Sequence, residues 1–258
     1  MTAPIARVLS SLAVAAMTAA CGGSYYEIPM ETPIRPKLDV SGFERILVAG
    51  FIAGGSEDVD GNLETTRLLR SQLRNQSDLR VIDTDVLPLV AVATERLAVS
   101  DVNDDGEGAT DGPALILEEE DLEPYEHLFA DVDYWKQIGE EYQQPLIVTG
   151  TVMFSPQERS GIVQRDQEIY DSLGRRSVVP VRTYMERKGF VLRPRFVFID
   201  GRTGAVLYSE NFREEILYNA NQTSPALSSY FELMDRLLPS FLSTLSTQSI
   251  RGTRVLLQ

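Results

Sequence analysis

Apolar positions along this chain fall into three patterns, and each predicts a different element. Arg45-Ile46-Leu47-Val48-Ala49-Gly50-Phe51, bounded by Gly42 and Gly54-Gly55, is a continuous run of the kind found in strands buried on both faces. Leu146-Ile147-Val148-Thr149-Gly150-Thr151-Val152-Met153-Phe154 is the longer run of this kind. It predicts a central strand, in which Gly150 permits close approach of a helix or a neighbouring backbone. The second pattern recurs at three and four residues. Leu63, Leu68, Leu69 and Leu73 predict a helix capped by Asp60 or Asn62, with Arg67, Arg70 and Arg74 outside. Apolar residues from Leu227 to Leu245 predict a longer helix that Pro239 should kink. Val86 to Val99 and Tyr134 to Tyr142 predict shorter ones, the second ended by Gln143-Gln144-Pro145.

The third pattern is short or alternating. Leu79-Arg80-Val81-Ile82-Asp83 reads as a strand that completes a β-α-β unit, whose handed crossover implies parallel strands. Phe190 to Asp200 leads through Gly201-Arg202-Thr203-Gly204 into Ala205 to Glu210, a hairpin in which Pro194 signals a bulge or an edge. Gly161 to Tyr170 and Ser177 to Glu186 alternate as a polar β-ribbon around Ser172-Leu173-Gly174-Arg175, and Arg254 to Leu257 suits a last short strand. The predicted fold class is therefore α/β: a mixed sheet flanked by helices, one domain over residues 41–258, interrupted by an acidic, Asp-, Glu- and Gly-rich insertion at residues 100–126.

What precedes the domain changes the address. Arg7, an apolar run from Val8 to Met17 and small residues Thr18-Ala19-Ala20 form an export signal too short to span a bilayer. Cys21, the only cysteine, stands directly after the small residues. This arrangement resembles the lipobox of bacterial lipoproteins, although Thr18 stands where that family usually has Leu. The resemblance implies cleavage after residue 20 and acylation of Cys21 by diacylglycerol and palmitate-type chains. Gly22 to Asp39, with Pro29, Pro33 and Pro36 and no periodicity, predicts an extended tether over residues 21–40. The absence of Asp after Cys21 resembles lipoproteins sorted to an outer membrane, facing the periplasm.

Charge narrows the partners. The 258 residues carry 24 Lys and Arg against 38 Asp and Glu, a net charge of −14 that repels phosphate backbones and so excludes nucleic acid. The same balance opposes adhesion to anionic headgroups, leaving the acyl chains as the membrane attachment. With one cysteine, no disulfide forms within the chain, and packing must hold the fold.

The order of four segments carries a family resemblance. Phe43 to Phe51, Leu79 to Asp83, Leu146 to Val152 and the Phe198-Ile199-Asp200-Gly201-Arg202-Thr203-Gly204-Ala205-Val206-Leu207-Tyr208 hairpin resemble the group of CsgG-like secretion-channel lipoproteins, the amino-terminal domain of TolB and lipoprotein activators of penicillin-binding proteins. The resemblance implies an α/β sandwich used in envelope assembly, secretion or cell-wall regulation, with envelope proteins as partners, homo-oligomers allowed and no catalytic centre. Shared fold does not fix activity. A channel of the CsgG kind needs strands of about 9 to 11 residues with one apolar face, and Gln164, Arg165, Asp166, Gln167 and Glu168 deny the first ribbon strand such a face, although Val179, Val181 and Met185 give the second a fair one.

Candidate chemistry is sparse. Gly50 to Ser56 has glycines at phosphate-loop spacing, but Ser56 replaces the lysine, and Glu57, Asp58 and Asp60 would repel phosphate. Asp101-Val102-Asn103-Asp104-Asp105-Gly106 matches the first half of a calcium loop. Gly112 occupies the place of the closing Glu, so Asp101, Asn103 and Asp105 would need Asp111 or Glu118 to Glu120 to complete a weak site. No other cofactor is expected. His127, the only histidine, lies in an acidic segment with no nucleophile elbow to serve, and Trp135 with Tyr134 and Tyr142 suits a core better than a ligand platform. The expectation is a non-enzymatic, lipid-anchored envelope protein acting by protein contact; an oligomeric outer-membrane secretion channel and a calcium-modulated binding module are the alternatives.

Overall fold

The computed structural model describes residues 25–101, 116–219, 222 and 224–257. It divides into two compact units, one from Pro36 to Ser246 and a smaller one built from the chain before and after it.

In the smaller unit, strand β1 (Tyr25–Ile34) pairs antiparallel along its whole length with the C-terminal strand β8 (Gln248–Leu257). The segment expected as a plain tether is thus a strand over Tyr25–Ile34, and the last strand is longer than Arg254 to Leu257. Pro29 and Pro33 made this stretch read as non-strand. Four residues apart, they occupy the same kind of ladder position, so both missing donors can fall on the free edge of a two-stranded sheet.

The larger unit is the predicted α/β sandwich. Its strands are β2 (Arg45–Gly55), β3 (Arg80–Val81), β4 (Leu146–Tyr170), β5 (Arg176–Asp200), β6 (Val206–Asn211) and β7 (Glu214–Asn219). They form one mixed sheet in the order β3-β2-β4-β5-β6, with β7 also on β5. β2 is parallel to β3 and β4, and β4 to β7 continue antiparallel. Helices α1 (Gly61–Gln76) and α5 (Ala226–Leu245) cover one face. Helices α2 (Leu89–Asp101), α3 (His127–Ala130) and α4 (Val132–Glu141), with a 3-10 turn at Glu120–Tyr125, cover the other.

Side-chain alternation explains the two cores. Along β4, Leu146, Val148, Val152 and Phe154 face α1 and α5, while Ile147 and Met153 face α2 to α4. Along β2 the alternation slips by one at Gly50, where a bulge against Val148–Thr149 lets both Val48 and Phe51 face α1. Gly50 has φ +137°, a region that L side chains avoid. Gly150 beside it has φ +143°, and a Cβ there would lie 1.8 Å from the Arg195 carbonyl oxygen, so the close approach expected at this glycine is that of strand β5.

The β3 side of β2 corrects two assignments. β3 is only two residues long, not the five of Leu79 to Asp83, so the edge of β2 beyond Ile46 lacks a full strand partner. Arg70, expected outside, is buried instead: Nη2 donates to the Val48 carbonyl at 2.8 Å and Nη1 to that of Thr84 at 2.5 Å. Of the two candidate caps, Asp60 caps α1 through the Leu63 N–H at 2.9 Å. Asn62 accepts the Phe51 N–H at 2.7 Å. Helix side chains thereby complete the hydrogen bonding of a sheet edge.

Pro194 sits where β5 changes its outer neighbour from β6, paired through Arg195, to β7, paired through Leu192. Its carbonyl accepts the Phe212 N–H at 2.9 Å. Because N–H and C=O of one strand residue point the same way, the missing donor faces the β6–β7 turn and no ladder bond is lost.

Candidate interaction surface

The expected polar ribbon is present, but it is the far end of the two longest strands and not a separate element. β4 and β5 stay paired without a break from Leu146↔Asp200 to Tyr170↔Arg176. β2 leaves β4 at Phe154 and β7 leaves β5 at Arg187. From Gly161 to Tyr170 the two strands therefore run with both outer edges unpaired among the described residues, a reach of roughly 33 Å at the rise of a strand.

The tip is built for rigidity. Asp171 accepts the N–H groups of Leu173 at 2.9 Å and Arg175 at 2.8 Å, and takes the Arg175 Nε at 2.7 Å. Gly174 supplies the positive φ, +73°. These donors hold the exposed Asp171 carboxyl below its ordinary pKa, the Arg175 backbone N–H contributing most. Arg176 with Glu168, and Lys188 with Glu158 at 2.9 Å, add ion pairs across the strands.

Register sorts the ribbon's side chains onto two faces. One carries the pairs Gly161↔Met185, Val163↔Thr183, Arg165↔Val181, Gln167↔Val179 and Ile169↔Ser177. Met185, Val163, Val181, Val179 and Ile169 are direct or diagonal neighbours there and make one aliphatic band. The other face has Ile162 with Tyr184 near its base and Tyr170 near the tip, separated by Gln164, Arg182, Asp166 and Glu168. Ile162, Tyr170, Leu173 and Tyr184 are each 65% exposed or more. A two-stranded hairpin is at best marginally stable alone in water. Here the core strands anchor one end and the Asp171 turn closes the other.

The remaining candidate residues are dispersed. Cys21 lies outside the described residues, as do Asn103, Asp105 and Asp111; Asp101 is the last residue of α2. The His127 Nδ1–H donates to the Pro124 carbonyl at 2.8 Å, which ties the ring to its own turn. Trp135 is fully buried and donates Nε1–H to the Leu128 carbonyl at 2.7 Å, as its core reading requires. In the glycine loop after β2, the N–H groups of Gly55 and Ser56 bond the carbonyls of Ile116 and Phe154, so they are not turned toward a phosphate.

Sequence reasoning passed over a second surface feature at the root of the ribbon. Leu192-Arg193-Pro194-Arg195-Phe196 places arginines at alternate positions of an otherwise apolar strand, a signal that one face of β5 is not covered there. A groove of about 370 Å³ opens at that place, with Thr151, Met153, Arg193 and Arg195 among the residues that line it.

No family model and no curated protein matches this chain. Among solved structures it is similar to the LpoB C-terminal domain from Salmonella enterica, at 11% identity over 78% of this chain and 91% of that one, with a TM-score of 0.31. It is similar to the lipoprotein GNA1162 from Neisseria meningitidis at 12% identity, covering 76% of this chain and 96% of that one, TM-score 0.34. A third is the hypothetical protein CT253 from Chlamydia trachomatis, at 10% identity over 79% and 98%, TM-score 0.37. At these identities and scores the likeness assigns neither a family nor an activity to this chain.

Proposed function

We propose that this is a non-enzymatic protein of the bacterial cell envelope, held to a membrane by lipid on Cys21, which works by gripping another envelope protein with the β4–β5 ribbon. The export signal and the cysteine behind it support the address. No helix among the described residues is long and apolar enough to cross a membrane. The observation that carries the role is the ribbon itself: a stiffened, two-edged projection on which aliphatic and aromatic side chains stay exposed. Contiguous exposed apolar surface of this kind marks contact sites. Both unpaired edges also offer main-chain hydrogen bonds to an added strand.

The test shortens the ribbon. Removing residues 162–184 and joining Gly161 to Met185 through Asn-Gly keeps the core register, so the thermal unfolding of the body should stay within about 2 °C, since surface changes remote from packing are nearly neutral. Crosslinking pull-down from the native membrane should lose the partner that the full chain captures. Recovery of the same partner by the shortened chain would refute the proposal.

A second reading, a channel to which each copy lends its ribbon, is favoured by the length of the free strands, which meets the 9 to 11 residues that a bilayer needs. Arg165 and Gln167 stand on the aliphatic face and weigh against it. Conductance of the purified protein in planar bilayers decides for the channel; electrical silence decides for the contact arm.

A further inference from the structure

The groove at the root of the ribbon pairs unused cationic donors with an apolar floor. Arg193 and Arg195, two residues apart on β5, project from the same face of the sheet as Met153 of β4 and the α2–α4 core. Arg195 is engaged: Nη1 donates to Glu126 at 2.7 Å and Nε to the Ser209 hydroxyl at 3.2 Å. It fastens the segment around α3 to the sheet. Arg193 and Arg213, which also lines the groove, are differently placed.

Among the described residues Arg193 comes no nearer to a carboxylate than 3.7 Å, to Glu119, whose own side chain is 68% exposed. Arg213 comes within 3.8 Å of a Glu215 oxygen that already accepts from Arg159 at 2.8 Å. Neither guanidinium makes a hydrogen bond among the described residues, although each carries five donors in a fixed fork. Leu122 and Met153, both buried, line the groove with them. An arginine on a sheet face with only loose ion contacts is poised to exchange them for direct, charge-assisted bonds to an incoming oxyanion.

We propose that this groove binds the C-terminal carboxylate of a partner polypeptide, shared between Arg193 and Arg213, with the apolar side chain of that last residue resting on Leu122 and Met153. The chain's net charge of −14 selects for a ligand with a single negative charge, because a polyanion would be repelled by the rest of the body. Thr151, in register with Arg195, also lines the groove. The inference rests on the reading of the molecule as a protein-contact module, but it uses a site separate from the ribbon.

The experiment titrates the purified chain with an N-terminally fluorescein-labelled peptide, Gly-Ser-Val-Leu, as the free acid and as the C-terminal amide, followed by fluorescence anisotropy at low salt. The free acid should bind at least tenfold more tightly than the amide. Arg213→Gln, in an exposed turn where folding is safe, should weaken the acid at least fivefold and leave the amide unchanged, and Arg193→Gln should do the same. The ribbon-shortened chain should bind as the full chain does, so the two surfaces succeed or fail independently. Equal binding of acid and amide, no binding of either up to millimolar peptide, insensitivity to Arg213→Gln, or binding of inorganic phosphate without binding of peptide would each overturn the proposal.

Discussion

Replacing Arg70 with methionine probes how a sheet with a two-residue edge strand is completed. Methionine keeps much of the stem volume that packs beneath α1 and removes the guanidinium. The buried Val48 carbonyl and the part-buried Thr84 carbonyl then lose their donors. Each such loss costs about 1–3 kcal/mol. Three features reduce the sum. Burial already pulls the Arg70 guanidinium below its usual pKa, its Nε has no hydrogen-bond partner among the described residues, and the 3.9 Å contact to the 76% exposed Asp83 is worth little. The net expectation is a loss of about 2–4 kcal/mol, or roughly 5–12 °C in Tm for a body of this size. Thermal unfolding followed by circular dichroism measures it, with the exposed Arg67→Met as a control that should move by no more than about 1 °C. Arg70→Lys should fall between, because an ammonium on a shorter reach cannot serve both carbonyls in the same geometry. If Arg70→Met unfolds with Arg67→Met, the β2 edge is not held by this side chain, and the explanation of the short β3 fails.

Gly150→Ala should abolish soluble expression or lower stability by more than about 3 kcal/mol, since its Cβ would meet the Arg195 carbonyl oxygen at 1.8 Å; Gly161→Ala, with nothing within 4 Å, should be neutral, and a neutral Gly150→Ala would contradict the strand spacing. Gln144 holds φ +57° at the end of α4, so Gln144→Gly should gain up to about 1 kcal/mol by relieving left-handed strain, and a fall in Tm would show that the side chain contributes more than the strain removes. The Asp171 carboxyl has a folded pKa below its unfolded one, so its support of the ribbon tip is complete above the unfolded value, near pH 4, and lost as pH falls through the folded value. The Leu173 and Arg175 amide resonances should shift together over that window, and Asp171→Asn should remove the titration.

Much of the body could be read from apolar spacing because burial on both sides of a sheet leaves little freedom. Ile147 and Val148 point to opposite cores, and both are fully buried. What sequence did not disclose lies where one residue answers for another far away. Arg70 looks solvated at its helical position, and only the short β3, which leaves the Val48 carbonyl on an uncovered edge of β2, shows why it turns inward. Pro29 and Pro33 read as breakers until the free edge beside β8 gives their missing donors a place. The ribbon was legible as alternation, but its continuity with the core strands was hidden by Pro156 and Pro194. The first opens the stretch where β4 has lost β2, and the second meets the β6–β7 turn. For the candidate surface, the aliphatic character of Val179, Val181 and Met185 was visible along one strand. Register alone adds Val163 and Ile169 to the same band. Arg193 and Arg213 are separated by a strand and a turn, and their shared groove follows from the fold alone.

The ribbon's aliphatic band is the centre of this account, and site-specific photo-crosslinking tests it most directly. A photoreactive residue at Val179, introduced into the full lipid-anchored chain and irradiated in its native membrane, should give one discrete adduct with an envelope protein, while the same residue at Arg67 on the outer face of α1 gives none. Adducts of equal yield at both positions, or none at Val179, would contradict it.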